Sequence, residues 1–377
     1  MPIPQATPPD SDELEVSVFG PGFGESVVVH TGHDEWLIVD SCLESPTAQP
    51  KPLEYLESIG VDPATAVKVV IASHWHDDHV AGLSALLAKC KSAILSCSTA
   101  LAQKDFLQLA ELYCESPSRI PPGPREIRNS LSIAAERSKA LKRNMLCFAL
   151  ENRPIWTSAH GRAQALALSP SDEMVRRALE FMARSYEIAQ SGIAILDRMG
   201  DTPNDVATAV RVNVGGRSIL LGSDLEASAS PLIGWSAVLA LPGATLTKSA
   251  VYKVAHHGAK SGHQEDVWQN MLSPAPLALM SPFRLGAHNL PTYDDRQRIL
   301  GKTATAFITA HPDKARSRST KRRRKVDMLL EQATLDRRSA YGPVGQIRWR
   351  APLAHPTNHG RVELFDGALH LADALAL

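Results

Sequence analysis

His74-Trp75-His76-Asp77-Asp78-His79 is the stretch on which the reading of this chain turns. The chain has 14 histidines in 377 residues. With aspartate at a typical ~5 %, the pattern H-x-H-x-D-H arises by chance roughly once in a thousand chains of this length, so the cluster calls for a chemical cause. Before it lies Val67 to Ala72, a continuous apolar run of the kind that forms a strand buried on both faces. After it, Val80 to Ala88 reads as a helix. A strand-to-helix turn gathers several side chains in a small volume and points helix amides outward. Imidazole and carboxylate suit zinc, manganese and iron(II). If the turn is extended, His74 and His76 project to one side, while Asp78 and His79 fall beyond the bend. That split suits two metal ions a few ångströms apart. A histidine-rich helix cap is the plainer alternative.

Working outward, other strand ends carry matching chemistry. Leu14 to Phe19, Ser26 to His30 and Trp36 to Val39 alternate with the turns Gly20-Pro21-Gly22-Phe23-Gly24 and Thr31-Gly32-His33-Asp34, which predicts an antiparallel meander. Asp40 stands at its exit. Pro52 to Ile59 predicts a helix stopped by Gly60, and Ala93 to Ser96 a strand. Ser218 to Leu221 is an apolar strand leading to Asp224, a carboxylate able to bridge two cations. Val251 to Ala255 leads to His256-His257-Gly258, where the glycine permits close backbone approach. Ligand residues beyond several strand ends fit the rule that α/β sites form outside the carboxyl ends of strands. Successive side chains on a strand alternate, so His256 and His257 cannot both face one metal from it. One is expected to be the ligand, the other a support behind a ligand or a transition-state donor, and the spacing leaves the choice open. Strands are also expected at 165–168, 207–214, 277–280, 346–350, 362–365 and 368–371, with a hairpin at Gly215-Gly216.

The remainder sets limits. Residues 1–13 are Pro-rich and acidic and are expected to be a disordered lead-in to a domain over 14–377. Residues 99–152 and 171–199 are helical in pattern. The 99–152 part, broken by Pro117 and Pro121-Pro122-Gly123-Pro124, reads as an insertion, either packing subdomain or lid. No basic, apolar leader and no membrane-length apolar run is present, which predicts a cytoplasmic protein with no membrane association. Cys42, Cys90, Cys97, Cys114 and Cys147 form no CxxC pair and are expected to be reduced and packed as small apolar residues. Formal net charge is zero, so attraction to nucleic acid must be local. Such a patch exists: Lys314, Arg316, Arg318, Lys321, Arg322, Arg323, Arg324 and Lys325 fall together. A charge run is ordinarily a solvated face; at this density Lys321, Arg322, Arg323, Arg324 and Lys325 are candidates to hold a phosphate backbone.

Asp40, the His74–His79 cluster, Asp224 and His256-His257-Gly258 match, in order, four of the five motifs of the metallo-β-lactamase superfamily, which this sequence resembles. Within it the chain is most similar to the metal-binding domain of ComEC-type DNA-uptake proteins. The Gly20–Gly24 turn and Asn204, ahead of the aspartate strand, carry that finer likeness. The resemblance spans about 14–97 and 164–310 and excludes the insertion and the channel's membrane segments. It implies a four-layer αβ/βα sandwich and two divalent metal ions, zinc or manganese. The ligands implied are His74, His76, Asp78, His79, Asp224 and His256 or His257, with Asp40 orienting a histidine through its ring N–H. The family's third-motif histidine has no counterpart at its usual place; His160 lies far upstream, and Asn204 or Asp205 is expected to stand there. His288, near the family's late His-Pro element, is a candidate contact to a leaving group or phosphate, or else a surface histidine. The function implied is a metal-dependent phosphodiesterase or nuclease acting on DNA, in DNA processing or defence. Asp78 would orient the nucleophile, with His257 and Asn204 also catalytic. The alternatives are hydrolysis of a small phosphoester, cyclic nucleotide or thioester-like molecule, or a catalytically weak scaffold or sensor.

Overall fold

A computed structural model describes residues 5–45, 47–102, 106–108, 122–190, 204–285, 288–313, 344–355 and 359–375. The first part of the chain supplies β1 (Glu13–Gly22), β2 (Gly24–His30), β3 (Trp36–Val39), β4 (Val67–Ala72), β5 (Ile94–Ser98) and β6 (Leu146–Ala149). There follow β7 (Arg153–Thr157), β8 (Ala163–Ala167), β9 (Val210–Val214), β10 (Arg217–Leu221), β11 (Ser249–Lys253) and β12 (Leu272–Met280). The last strands are β13 (Phe283–Leu285), β14 (His288–Leu290), β15 (Ala306–Ile308), β16 (Gly345–Pro352), β17 (Arg361–Phe365) and β18 (Leu369–His370).

Among the described residues they make two mixed sheets of eight strands, ordered β17-β16-β1-β2-β3-β4-β5-β6 and β18-β15-β12-β11-β10-β9-β8-β7, with β13 and β14 as a separate ribbon. The sheets repeat one plan. β1, β2 and β3 pair antiparallel and β4 then joins β3 in parallel; β8, β9 and β10 pair antiparallel and β11 joins β10 in parallel. Asp40 and Asp224 thus follow equivalent strands, and the His74–His79 and His256–His257 stretches follow the next ones.

Double-sided burial explains the unbroken apolar runs. Along β4, Val69 and Ile71 pack between the sheets, while Val70 and Ala72 face outward. The outer face of the first sheet is covered by α1 (Lys51–Ser58), α4 (Leu83–Lys89) and α5 (Pro122–Leu141) through Leu53, Leu56, Leu83, Leu86, Leu87 and Ile127. Here α2 (Pro63–Ala66) and α3 (Asp77–Val80) are short turns between them. α6 (Asp172–Gln190) also packs on this side, through Val175, Ala178 and Met182. The outer face of the second sheet is covered by α7 (Gly234–Ala240), α8 (Glu265–Asn270) and α9 (Tyr293–Leu300) through Trp235, Val238, Val267 and Ile299. Each fully buried side chain of this size contributes about 1.5–3 kcal/mol. A one-residue slip of β4 would swap its two faces, so its register is strongly specified. The result is the four-layer αβ/βα sandwich.

Three expectations change. Residues 5–12 are not a loose lead-in. Arg350, buried on β16, donates to the carbonyl of Thr7 at 2.6 Å and of Pro8 at 3.3 Å, and Arg348 to that of Gln5 at 2.6 Å. Glu15 anchors Arg350 by accepting from its Nε at 2.7 Å. The helical segment also ends sooner than 152, because Leu146–Ala149 pairs in parallel with β5 as part of the first sheet. Its helix α5 lies along α4 as part of the outer layer and caps both its ends: Glu126 accepts from Ser84 N–H at 2.9 Å, and Arg137 donates to the Cys90 carbonyl at 2.9 Å. Finally, the helix read over 80–88 is two pieces, α3 and α4, separated at Gly82 with φ 81°. Pro117, Cys114, residues 191–199 and the basic run 314–325 lie outside the described residues.

Candidate metal centre

β3, β4, β10 and β11 all deliver chain to one place. Asp40 leaves β3 with φ 61°, Ser223 follows β10 with φ 48°, and His256 and His257 follow β11 with φ 47° and 52°. Left-handed backbone at non-glycine residues costs about 1–3 kcal/mol each and persists only where the surroundings enforce it. Here the enforcement is visible: His256 N–H donates to the Ser223 carbonyl at 2.8 Å, tying the two loops together. Arg298 donates to the Gly258 carbonyl at 2.6 Å.

Asp40 organises the histidine cluster from behind. Its Oδ1 accepts from Ser73 N–H, and its Oδ2 from the Ser73 hydroxyl and from His79 Nδ1, each at 2.7 Å. His79 Nε2 then faces Asp224 Oδ1 at 3.4 Å. His257 Nε2 lies 3.4 Å from Asp78 Oδ2 and 3.7 Å from Asp224 Oδ2, and His74 Nε2 lies 3.9 Å from Asp224 Oδ2. Three sets of ligand atoms lie within 4.8 Å of one another: His74, His76 and Asp224; Asp78, His79 and His257; and Glu25, His79 and Asp224.

The donor set fits divalent ions. A tetrahedral site with bonds of about 2.1 Å spaces its donors roughly 3.4 Å apart, close to the separations above. His79 Nε2, His257 Nε2 and Asp224 Oδ1 are buried without a hydrogen-bond partner. Such groups cost about 1–3 kcal/mol each when left unsatisfied, and a shared cation would satisfy all three. Without metal, burial would lower the His79 and His257 pKa values. Asp224 with Asp40 for the first, and Asp224 with Glu25 for the second, outweigh burial; His79 rises well above its ordinary value and His257 to about 9. Burial, reinforced by its histidine neighbours, keeps His74 well below its usual value, and therefore neutral. Burial would raise the Asp224 pKa, but His79 and His257 hold it well below the carboxylate range.

The left-handed turn, rather than strand alternation, separates the two adjacent histidines, since β11 ends at Lys253. His257 points into the cluster, its ring stacked on Phe283 at 5.1 Å. His256 turns to the rim, with Nδ1 2.8 Å from Ser261 Oγ and 3.1 Å from Glu226 Oε1. Asn204 joins it there, donating to Glu226 Oε1 at 3.2 Å. His160 is exposed beside His33, 5.2 Å between rings, at the entry end of β3 and so at the far end of that strand from Asp40. The side chains of Asp205 and His288, and the whole of Lys321, Arg322, Arg323, Arg324 and Lys325, lie outside the described residues.

Sequence reading missed Glu25, Lys253, Ser73 and Glu226. Glu25 and Lys253 are 3% and 1% exposed and form an ion pair between the sheets. The available signal was a charge inside an apolar strand run, Lys253 within Val251-Tyr252-Lys253-Val254. Gly24 precedes Glu25 because a Cβ there would meet the carbonyl oxygens of Ser41 and Asp78. Gly123, at the start of α5, abuts the Trp75 carbonyl closely enough to exclude any Cβ, and its N–H donates to Asp77 Oδ1 at 3.0 Å.

The family model described as metallo-beta-lactamase superfamily matches residues 19–103, from the end of β1 to just past β5. Over that stretch, less than a quarter of the chain, the sequence is similar to the metallo-beta-lactamase superfamily, whose members are typically metal-dependent hydrolases, and the four-layer sandwich agrees with that likeness. Similar solved structures include a HARLDQ-motif mutant metallo-beta-lactamase from Cronobacter sakazakii, at 17% identity over 64% of this chain and 77% of that one, with a TM-score of 0.36. The metallo-beta-lactamase fold protein YhfI from Bacillus subtilis is similar at 10% identity over 90% of this chain and 100% of that one, with a TM-score of 0.38. No curated protein matches the chain. Among the described residues, no helix is long and apolar enough to cross a membrane.

Proposed function

We propose that this protein is a binuclear metal-dependent phosphodiesterase acting on nucleic acid, DNA in the first instance, akin to the metal-binding domain of ComEC-type DNA-uptake proteins. The observation that carries the metal-dependent part is the pocket in which buried His79 Nε2, His257 Nε2 and Asp224 Oδ1, lacking hydrogen-bond partners, converge with His74, His76 and Asp78. Divalent ions held there, zinc or manganese, supply Lewis-acid stabilisation of charge developing on phosphoryl oxygens. In this reading Asp224 lies between the two ligand sets and Asp78 orients the attacking water. His256, backed by Glu226 and half-exposed at the rim, donates a proton to the leaving oxygen, and Asn204 holds Glu226 in place. The preference for nucleic acid rests on the sequence likeness and on the basic run.

The test pairs metal analysis with a digestion panel. Purified protein is expected to carry up to two equivalents of metal and to cut labelled DNA when zinc or manganese is supplied. His76→Ala/Asp78→Ala should lose both properties while keeping its circular dichroism, because these residues stand outside the three hydrophobic cores. Metal-dependent turnover of cyclic dinucleotides but not of DNA or RNA would replace the nuclease reading with the small-phosphoester one. Less than one equivalent of metal and no turnover would favour a scaffold.

A further inference from the structure

A buried cation lies behind the metal centre. Lys253 sits on β11, four residues before His257, and its ammonium pairs with Glu25 Oε1 in the interior. The other Glu25 oxygen lies 3.2 Å from His257 Nδ1, which also lies 3.1 Å from the Ser281 carbonyl. The Ser281 carbonyl can only accept, so Nδ1 carries a hydrogen with Glu25 alongside it, and Nε2, directed at Asp78 and Asp224, is the nitrogen left to bind metal. Phe283 stacked on the ring restricts its tilt. A buried ion pair is a poor stabiliser, since packed apolar residues of similar volume serve as well or better, so stability alone gives little reason for this one.

We propose that the Lys253–Glu25 pair is a positioning device for His257: Lys253 anchors the Glu25 carboxylate in the interior, and Glu25, set against Nδ1, orients the ring that binds metal and raises its donor strength. The inference rests on the metal-centre reading above. Carboxylates behind metal-bound histidines act in this way, and their loss costs about 10- to 100-fold in metal affinity. Here the carboxylate itself needs a partner, because a buried charge is costly unless it is paired, and Lys253 is the cation set against it. The two residues therefore act as one unit, Lys253 without touching the ligand.

The experiment measures zinc affinity by competition with a chelating dye, on the whole chain and without substrate. Glu25→Gln/Lys253→Met removes both charges at nearly constant volume. It is expected to fold with a metal-free thermal midpoint at or above that of wild type, yet to bind zinc about 10- to 100-fold more weakly. Wild-type affinity in the double variant would overturn the inference and assign the pair a purely structural role. Should the double variant not fold, Glu25→Asp keeps the charge beside Lys253 but draws it back from the ring; weaker zinc binding supports the device and unchanged binding overturns it. Nitrogen-15 spectra of zinc-loaded wild type should show His257 carrying its hydrogen on Nδ1, and a hydrogen on Nε2 would overturn the assignment. Wild type that binds neither zinc nor manganese sinks the metal-centre reading as well, whereas equal binding by wild type and double variant sinks only this inference.

Discussion

Asp40→Asn isolates what the carboxylate behind the cluster does. Asparagine tolerates the left-handed conformation nearly as well as aspartate, so the φ of 61° adds little confounding strain. The change is in hydrogen bonding. Asp40 accepts three bonds at 2.7 Å, from Ser73 N–H, the Ser73 hydroxyl and His79 Nδ1. An amide offers one oxygen. If that oxygen takes the Oδ2 place, the NH2 group confronts Ser73 N–H and leaves two buried donors facing each other. If it takes the Oδ1 place, His79 Nδ1 must become an acceptor, and the ring keeps its one hydrogen on Nε2, the nitrogen that metal would need. The first orientation leaves buried donors unsatisfied, at about 1–3 kcal/mol, and both exchange a charged acceptor for a neutral one, at about 1 kcal/mol. The metal-free variant should therefore lose roughly 1–4 kcal/mol in urea unfolding, and its zinc affinity should fall about 10- to 100-fold. A denaturation midpoint and a zinc affinity both indistinguishable from wild type would refute the assignment of Asp40 as the group that fixes His79.

Asp224→Asn should lower zinc stoichiometry as well as affinity, because Asp224 faces His74, His79 and His257 at once; full stoichiometry by elemental analysis would contradict this. Metal uptake should release protons. His257, raised to about 9 in the metal-free protein, is still protonated at neutral pH, so zinc affinity should climb as pH rises and level off above about 9. Calorimetry in buffers of different ionisation enthalpy reads this directly, and pH-independent affinity between 7 and 9 would count against it. Neutralising Arg322, Arg323 and Arg324 should flatten the dependence of log DNA affinity on log salt by up to ~2.7 units, with turnover of a small chromogenic phosphodiester unchanged. An unaltered slope would make the run a solvated surface element.

The elements most legible in the sequence were those set by local pattern. An apolar run ending in His74-Trp75-His76-Asp77-Asp78-His79 is a buried strand followed by a turn dense in imidazole and carboxylate, because strand burial and side-chain chemistry both reside in contiguous residues. The same holds for Asp40 and Asp224 at their strand exits and for the meander that precedes them. Tertiary structure decided what depends on residues remote in the chain. Two sheets repeating one strand plan show no repeated sequence, since apolar faces can be filled by many residue combinations. β6 joined the first sheet because β5 offered a free edge, and residues 5–12 became ordered because Arg348 and Arg350, near the opposite end of the chain, supply donors to their carbonyls. That His257 rather than His256 points into the cluster came from two successive left-handed residues, a conformation no propensity predicts for histidine and one tied to the loop after β10. Glu25 and Lys253 lie far apart in sequence and meet only where β2 and β11 face each other across the core. A charge buried in that way is stable only when its partner is in place, and the identity of that partner is a property of the packing of the two sheets.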